Sequence, residues 1–360
     1  TTQSAVFSEV MAHHAVGARH QRERGTGAWN SNCSTRLEPP PSGAGRFAGW
    51  PRLGHVAAIE SALMELAIGA LGDGLAYADP LYAASLGEFG EPVELPRSQG
   101  WVLRRAVPGS PSSDAMGCYP LFSCRDWSQL AHDLDHLPHG LVSLTLVTDP
   151  FGAPPGDELR DIFDEVIPYK HHFLIDLDRP AETVVARHHR KAARKALRSL
   201  TIEVYDPSTE LDTWCALYTR LVEKHRAEGI RAFSPASFAI QTRIDGLVGL
   251  KATLAGQVIG MHWYFTAGDV AYAHLVALHP DAYALHADAG MIWTAMELFA
   301  GRFRWIDMGA GAGHGANASD GLTQFKAAWS SDTAPTFVCG KILDPQRYRE
   351  LAGTHDPQAP

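Results

Sequence analysis

The chain has few cysteines and no long apolar run. Its five cysteines are scattered over 360 residues without a C-x-x-C spacing, so the sequence encodes neither a disulfide framework nor a zinc site. No stretch reaches the about 18 apolar residues that a membrane-spanning helix needs, and the N-terminus lacks the basic-then-apolar order of a signal peptide. We therefore expect a cytoplasmic protein without a membrane span. A net charge of −9 argues against DNA as a partner.

Eighteen histidines suggest a metal site, but their arrangement does not support one. The side chains of adjacent residues, as in His171-His172 and His188-His189, point in different directions on a strand or a helix, and no H-E-x-x-H sequence occurs. We expect no metal ion and no resident cofactor.

Composition and periodicity divide the chain into four parts. Residues 1–55 are rich in Gly, Pro, Ser, His and Arg and are predicted to form a mobile arm. Residues 56–175 are predicted to form a mixed α/β domain, residues 176–345 a second domain, and residues 346–360 a tail. In the first domain we predict helices over "HVAAIESALMELAIGAL", "DWSQLAHDL" and "DELRDIFDEVI" and strands over "GWVLRRAVP", "GCYPLFSC", "GLVSLTLVTD" and "HHFLIDL".

A basic stripe marks the start of the second domain. "LDRPAETVVARHHRKAARKALRSL" predicts one long helix beginning near Pro180. Its basic residues recur at helical spacing and share one face: Arg187, Arg190, Lys191, Arg194, Lys195 and Arg198. No acid interrupts them, which favours phosphate binding, with Arg190, Arg194 and Arg198 as candidate contacts, over a solvated helix face.

The rest of the second domain alternates strands and helices in a fixed order. "LVGLKATLA", "QVIGMHWYFT" and "VAYAHLVAL" predict an antiparallel meander with tight turns at Gly256 and Gly268. Helix "ADAGMIWTAMELFAG", strand "RFRWIDMG", a glycine-rich loop, helix "LTQFKAAW" and strand "TFVCGKIL" follow.

This order resembles the GNAT acyltransferase fold, and its details are similar to the Fem-type branch, in which one chain carries two GNAT-like domains. The resemblance covers residues 100–345 and is carried by "RHHRKAARKALRSLTIEV", "DMGAGAG" and "GLTQFKAAW". It implies an α/β (α+β) fold of tandem domains, each a mixed, mostly antiparallel sheet flanked by helices. It also implies amide-bond formation by acyl transfer to an amine of a small-molecule or cell-envelope precursor, as in secondary metabolism and envelope assembly. Relatives of this branch use aminoacyl-tRNA or acyl-CoA as donor, and we favour aminoacyl-tRNA.

The candidate site residues surround the glycine-rich loop. Glycine tolerates positive φ and lets a substrate approach the backbone closely, so Gly309, Gly311 and Gly313 are candidate substrate-binding residues. Asp307, at the end of the preceding strand, could orient the amine or accept its proton, or could only cap the loop.

The helix after the loop supplies the other candidates. Leu322, Phe325 and Trp329 share one face and are predicted to anchor this helix in the core, while Lys326 reaches the loop. The ammonium of Lys326 could meet a phosphate, a ribose or a developing oxyanion. The resemblance implies the same placement, because the Phe-Lys pair of the family, here Phe325 and Lys326, lies at the donor end of the site.

Other patterns are weaker. "GAGHGA" from Gly311 fits a dinucleotide fingerprint, but too little chain follows it for a doubly wound domain. His262, His274 and His279 are candidate bases or structural histidines. GNAT enzymes that use acetyl-CoA usually hold its pyrophosphate at the turn after the meander; here that turn carries Asp288, so we expect acetyl-CoA to bind poorly.

Two classes of function remain open on the sequence. The favoured one is an amide-forming aminoacyl or acyl transferase that acts without a covalent enzyme intermediate, since no Ser/His/Asp or Cys/His arrangement is legible. The alternative is an inactive binding module of the same fold for RNA or anionic ligands. No pattern in the sequence indicates the oligomeric state.

Overall fold

The computed structural model describes residues 74–311 and 321–352. The predicted arm and the helix predicted over "HVAAIESALMELAIGAL" lie outside these ranges, as does Gly313. The described helices are α1 Pro80–Ser85, α2 Leu130–Asp135, α3 Gly156–Leu159, α4 Ala181–Val184, α5 Arg187–Ser199, α6 Leu211–His225, α7 Pro235–Gln241, α8 Pro280–Ala284, α9 Ala287–Phe299, α10 Gly321–Ala327 and α11 Pro345–Ala352.

The described strands form one mixed sheet. They are β1 Glu91–Leu95, β2 Gly100–Ala106, β3 Ser113–Gly117, β4 Leu141–Val147, β5 Glu165–Asp176, β6 Thr201–Tyr205, β7 Leu247–Leu254, β8 Gln257–Ala267, β9 Val270–Leu278, β10 Trp305–Ala310 and β11 Asp332–Ile342. Their order across the sheet is β1-β2-β3-β4-β11-β5-β10-β9-β8-β7-β6. Helices flank this sheet, which confirms the predicted mixed α/β class.

Strand β11 ties the two halves of the chain together. It is antiparallel to β4 on one side and to β5 on the other, although it follows both by more than a hundred residues in the sequence. The sheet is therefore continuous from the first predicted domain into the second. The predicted domain boundary near residue 176 stays a prediction.

The two faces of the sheet carry different helices, and the side chains of strand β8 show which helix packs on each face. Successive side chains of a strand point to opposite faces. Trp263 stacks on Trp214 of α6 with ring centroids 4.0 Å apart, so α6 lies on what we call the first face. The neighbouring Tyr264 packs against Phe299 of α9, at 5.4 Å, so α9 lies on the second face.

Helices α5 and α9 pack closely on the second face because Gly290 has no side chain. A Cβ at this position would lie 2.9 Å from the Cβ of Ala196 and 2.5 Å from Cδ1 of Ile202. Both distances are too short for packed carbon atoms, so a larger residue here would push the two helices apart. The basic helix α5 is thus held directly against α9.

Three local predictions are wrong. "GCYPLFSC" is a loop after β3 rather than a strand, and its Phe122 and Cys124 make only isolated bridges. "DELRDIFDEVI" contains only the short α3, because Phe163 turns into the core and β5 begins at Glu165. The long helix predicted from Pro180 is broken at Val185 and Ala186, which are extended.

Contact with α10 explains the break. The backbone N–H of Ala186 donates to the carbonyl of Ala328, at 2.8 Å, rather than to the helix.

Among the described residues, no helix combines the length and the apolar character that crossing a membrane requires.

Candidate functional site

Strands β9 and β10 run parallel, pair over three residues and then separate. Val270, Ala271 and Tyr272 pair with Trp305, Ile306 and Asp307. Beyond this point β9 continues to Leu278 beside β8, whereas β10 continues to Ala310 beside β5. Between described residues, the facing backbone edges are therefore unpaired beyond the last pair. We call this opening the splay, and the candidate site surrounds it.

Asp307 lies at the start of the splay and is only 2% exposed. One carboxylate oxygen accepts the N–H of Gly309, at 2.7 Å, and the other lies 2.8 Å from Nδ1 of His172 on β5. Gly309 has a φ of 72°, a conformation that strongly favours glycine. Asp307 therefore does cap the glycine loop, one of the two predicted roles, and it also holds a buried histidine.

Asp149, which the sequence analysis did not single out, lies beside this pair. It follows β4 and is 1% exposed. Its carboxylate accepts the N–H of Phe151, at 2.8 Å, and the hydroxyl of Tyr272, at 3.0 Å. Burial raises the pKa of Asp149 to about 7, against the pull of these hydrogen bonds, and the charge of Asp307 adds to the rise.

Tyr77 completes the group, and its hydrogen bonds fix its orientation. The amide nitrogen of Gln241 donates to Ser85 and Ser237, at 3.3 and 3.2 Å, so its oxygen accepts from Nε2 of His274, at 3.2 Å. Nδ1 of His274 is then an acceptor, and the Tyr77 hydroxyl, 3.3 Å away, donates to it. Among the described residues, no hydrogen bond is found to the lone pairs of the Tyr77 oxygen, so it can accept one from a substrate.

The ring of Tyr77 meets the ring of Tyr272 edge-on with centroids 5.5 Å apart, and the Tyr272 hydroxyl donates to Asp149. Burial raises the pKa of the Tyr77 phenol well above the ordinary value, and the charges of Asp307 and Asp149 raise it further. Burial also lowers the pKa of His274 to about 3, so this imidazole is neutral. We call the buried polar residues on the first face of the splay the carboxylate cluster: Asp149, Asp307, Tyr77, Tyr272 and His172.

Lys326 approaches the splay on helix α10. Its ammonium donates to the carbonyl of Ala310, at 2.7 Å, and a Cβ on Gly309 would lie 3.3 Å from its Nζ. The predicted reach of Lys326 to the glycine loop is confirmed, whereas its catalytic role stays a prediction. A second lysine, Lys170 on β5, donates to the carbonyl of Gly311, at 3.4 Å. Lys170 was not among the residues predicted from the sequence.

Helix α10 is anchored by two of the three predicted aromatic and aliphatic residues. Trp329 is fully buried and stacks on His189 of α5 with centroids 5.1 Å apart, and Phe325 meets the same imidazole edge-on at 5.0 Å. Leu322 was predicted to share this role, but it is 43% exposed. Burial, with the charge of His188, lowers the pKa of His189 to about 4.

The predicted basic stripe lies on α5. Five of its six residues are exposed: Arg187, Lys191, Arg194, Lys195 and Arg198. We call these side chains the basic surface. Arg190 instead is half-buried, and its Nε has no hydrogen-bond partner among the described residues.

The three histidines of the meander have structural contacts. His262 is 1% exposed, with Nε2 2.9 Å from Asp288 at the N-terminal end of α9 and Nδ1 3.2 Å from the Tyr264 hydroxyl. His279 accepts the N–H of Asp281 at the start of α8, at 3.3 Å. His274 lies in the Tyr77 network. In the described part of the chain, no cluster of three or more His, Cys, Asp or Glu side chains could hold a metal ion. The expectation of no metal stays a prediction.

Comparison with known proteins identifies the class. Residues 184–326 match the family model of the acetyltransferase (GNAT) domain. None of the curated proteins matches this chain. The chain therefore contains a GNAT domain and is an acyltransferase by class.

Solved structures share the fold at low sequence identity. FemX is 14% identical, with a TM-score of 0.58 over 80% of this chain and 98% of its own. The C-terminal DUF2156 domain of an Agrobacterium fabrum protein described as a lysylphosphatidylglycerol synthetase is 11% identical, with a TM-score of 0.54 over 79% of this chain and 95% of its own. L-PGS from Bacillus licheniformis is 13% identical, with a TM-score of 0.51 over 80% of this chain and 94% of its own. The fold is thus that of the Fem-like GNAT branch.

Proposed function

We propose that this chain is an N-acyltransferase that forms an amide bond, transferring an aminoacyl or acyl group to an amine. The carboxylate cluster is the observation that carries this proposal. Its Asp149, Asp307 and the oxygen of Tyr77 are hydrogen-bond acceptors, and the donors of Tyr272 and His172 are already used on the two carboxylates. A site rich in acceptors and negative charge suits a protonated amine, which brings its own donors and positive charge.

The splay allows the two substrates to approach each other from different faces of the sheet. The amine lies on the first face, against the carboxylate cluster, and the acyl carbonyl lies in the splay between β9 and β10. Lys326 approaches the glycine loop on α10, which packs against α5 of the second face. An ammonium there stabilises the negative charge that develops on the carbonyl oxygen.

The reaction then follows without a covalent enzyme intermediate. The bound ammonium first gives one proton to Asp149, which leaves a neutral amine with a free lone pair. That nitrogen attacks the carbonyl carbon, and the second proton that it loses on forming the amide passes to the leaving group. A pKa of about 7 lets this carboxylate take up a proton near neutral pH. The bond from the carbonyl carbon to the donor oxygen or sulfur breaks, and the leaving group takes up one proton. Asp307 orients the amine and fixes the loop through Gly309.

Aminoacyl-tRNA is the favoured donor, with acyl-CoA as the alternative. Two features support this choice. Asp288 occupies the N-terminal end of α9, where a pyrophosphate would otherwise meet free N–H groups and the positive end of the helix dipole. The basic surface of α5 presents five cations and no acid, which suits a polynucleotide backbone. The amine belongs to a small molecule or to a cell-envelope precursor, and no separate cofactor is required.

The function can be tested by donor and acceptor screening. The protein is incubated with an aminoacyl-tRNA pool charged with labelled amino acids, or with labelled acetyl-CoA, and a mixture of primary amines. The expected result is a labelled amide, detected by mass spectrometry, from the tRNA pool. Transfer from neither donor, with tRNA retained by the protein, would favour the binding module.

The basic surface makes a separate prediction about salt dependence. Changing Lys191, Lys195 and Arg198 together to Gln should weaken tRNA binding, and each lost phosphate contact should reduce the slope of log affinity against log salt by about 0.7–0.9. Arg190 is left intact because it is half-buried. Filter binding over a salt series measures both quantities.

The matched control for this variant changes three exposed basic residues away from α5, namely Arg220, Lys224 and Arg243, to Gln. It should leave affinity and slope unchanged. Equal slopes of log affinity against log salt in the α5 variant and in the unmodified protein would indicate that the basic surface is an ordinary solvated helix face that does not contact tRNA.

Acetyl-CoA should bind poorly, because Asp288 repels a pyrophosphate at the start of α9 and lies 2.9 Å from His262. Isothermal titration of the protein with acetyl-CoA should show no saturable heat at submillimolar ligand. Micromolar affinity would contradict this prediction and make acyl-CoA the donor.

A further inference from the structure

The two ring nitrogens of His172, on β5, have different surroundings. Nδ1 lies 3.0 and 2.8 Å from the two carboxylate oxygens of Asp307. A carboxylate only accepts hydrogen bonds, and one of these oxygens also accepts the N–H of Gly309. Nδ1 of His172 therefore carries the hydrogen, and Nε2 of the neutral imidazole has a free lone pair.

Nε2 of His172 reaches the surface of the site. The side chain is 11% exposed. Among the described residues, Nε2 has no hydrogen-bond partner, and it is not one of the fully buried nitrogen atoms that lack one, so it belongs to the exposed part of the ring. The cross-strand neighbours of His172, Ala310 on β10 and Ala334 on β11, are small and only half-buried. The space beside Nε2 is therefore open to a substrate.

His172 and Lys326 are brought together at Ala310. Ala310 is the residue of β10 that pairs with His172, and paired residues of antiparallel strands have Cα atoms about 4.5–5.5 Å apart. The carbonyl of the same Ala310 accepts the ammonium of Lys326, at 2.7 Å. A basic nitrogen and a cation thus lie at the segment of β10 that borders the splay, where the proposed function places the acyl carbonyl.

We infer that His172 is a catalytic residue that carries the second proton of the amine to the leaving group. This inference rests on the proposed amide-forming function. After Asp149 has taken the first proton, the neutral nitrogen forms its bond to the carbonyl carbon, and Nε2 of His172 accepts the second proton from this nitrogen. The imidazolium gives that proton to the donor oxygen as the bond between this oxygen and the carbonyl carbon breaks. His172 is then neutral again, and Asp149 releases its proton to solvent.

The position and the partner of His172 suit this step. The attacking nitrogen and the leaving oxygen are bound to the same carbon in the tetrahedral intermediate, so one imidazole can reach both. Asp307 fixes the orientation of the ring and stabilises the imidazolium that forms, which is the role of the aspartate in a Ser-His-Asp triad.

The test uses two changes that separate holding Asp307 from moving a proton. The amide nitrogen of Asn can take the position of Nδ1 and keep the hydrogen bond to Asp307, but Asn has no atom at the position of Nε2. The amide nitrogen of Gln can take the position of Nε2 but cannot accept a proton. His172→Asn and His172→Gln should both lower the single-turnover rate with aminoacyl-tRNA by about 100-fold or more, as expected for a lost proton-transfer group.

A chemical rescue gives a second measurement that a purely structural role would not affect. In His172→Ala, added imidazole should raise the single-turnover rate, because it can occupy the space of the missing ring and transfer the proton. Pyrazole has the same shape but is far less basic, and it should not raise the rate.

His136→Asn is the matched control. His136 is also held through Nδ1, 2.7 Å from the carbonyl of His132, but it lies directly after α2 and outside the carboxylate cluster. This variant should keep the rate of the unmodified protein. The melting temperature of His172→Asn should also change little, because Asp307 keeps its hydrogen bond.

The outcomes separate the two proposals. If no amine is acylated by any donor, the proposed function fails. If amides form and His172→Asn transfers at a rate close to that of the unmodified protein, the function stands, and His172 only positions Asp307. Equal effects of imidazole and pyrazole on His172→Ala would likewise contradict the inference, because proton transfer requires the more basic ring.

Discussion

Replacing Lys326 by Ala or Met is expected to lower the transfer rate at saturating substrates by about 100-fold or more, the scale of losing one oxyanion stabiliser. The ammonium lies beside Gly309 and 2.7 Å from the carbonyl of Ala310, where the splay ends. Methionine retains most of the apolar stem of the side chain and removes only the charge. The melting temperature should change little, because Trp329 and Phe325 anchor α10.

Lys326→Arg should restore part of the rate, because it keeps the charge but replaces a compact ammonium by a planar fork. Lys341→Met is the control for the loss of a backbone contact: the ammonium of Lys341 donates to the carbonyl of Ile162, at 3.0 Å, far from the glycine loop along β11. Turnover close to that of the unmodified protein in Lys326→Ala would remove this residue from the mechanism.

Asp149→Asn should have the second large effect, lowering turnover by about 100-fold or more as expected for a lost general base. In the unmodified protein the rate should rise as pH increases through about 7, because only the deprotonated carboxylate accepts the proton from the amine. This titration should be missing from the pH–rate profile of Asp149→Asn. An unchanged profile in the variant would assign the titration to another group.

The same carboxyl group couples stability to pH. Its folded-state pKa of about 7 exceeds the ordinary 3.8, so the folded protein retains a proton that the unfolded chain loses. Stability from this group is present below pH about 4 and is lost as pH rises toward 7, by on the order of 4 kcal/mol. The melting temperature of the unmodified protein should therefore fall more steeply between pH 4 and 7, the interval between the two pKa values, than that of Asp149→Asn.

A suitable control for the stability measurement is Asp157→Asn, since the side chain of Asp157 is 98% exposed. Its melting temperature should follow the unmodified protein across the pH range. Parallel curves for Asp149→Asn and the unmodified protein would show that Asp149 titrates normally in the folded state.

The parts of the fold that depend on local pattern were predictable. The meander β7–β9 has clear strand runs and glycine turns, and α9, β10, α10 and β11 follow in the predicted order. The spacing of Phe325, Lys326 and Trp329 also placed the lysine correctly beside the glycine loop. The prediction that Leu322 anchors the helix was wrong. Helical periodicity shows which face of the helix a residue occupies, but not whether neighbouring elements cover that face at its position.

Most of the carboxylate cluster could not be predicted in this way. His172 is brought to Asp307 by the pairing of β5 with β10, and Asp149 by the placement of β11 between β4 and β5. Tyr77 joins them through its contacts with Tyr272 and His274 of β9. These contacts join residues more than a hundred positions apart, so no local period reports them. The only signal was weak: His172 lies in a strand-like run, and Asp149 lies in a Thr-Asp-Pro sequence that resembles an ordinary turn.

The chemical identity of the new bond tests the central claim most directly. With 6-aminohexanol as acceptor, the amine and the hydroxyl compete within one molecule and are too far apart for easy acyl migration. After transfer, the product is treated with mild base, which cleaves esters but not amides, and its mass is measured. The carboxylate cluster predicts an N-acyl product that survives the treatment. A product that is attached through the hydroxyl oxygen and is lost in base would contradict the account.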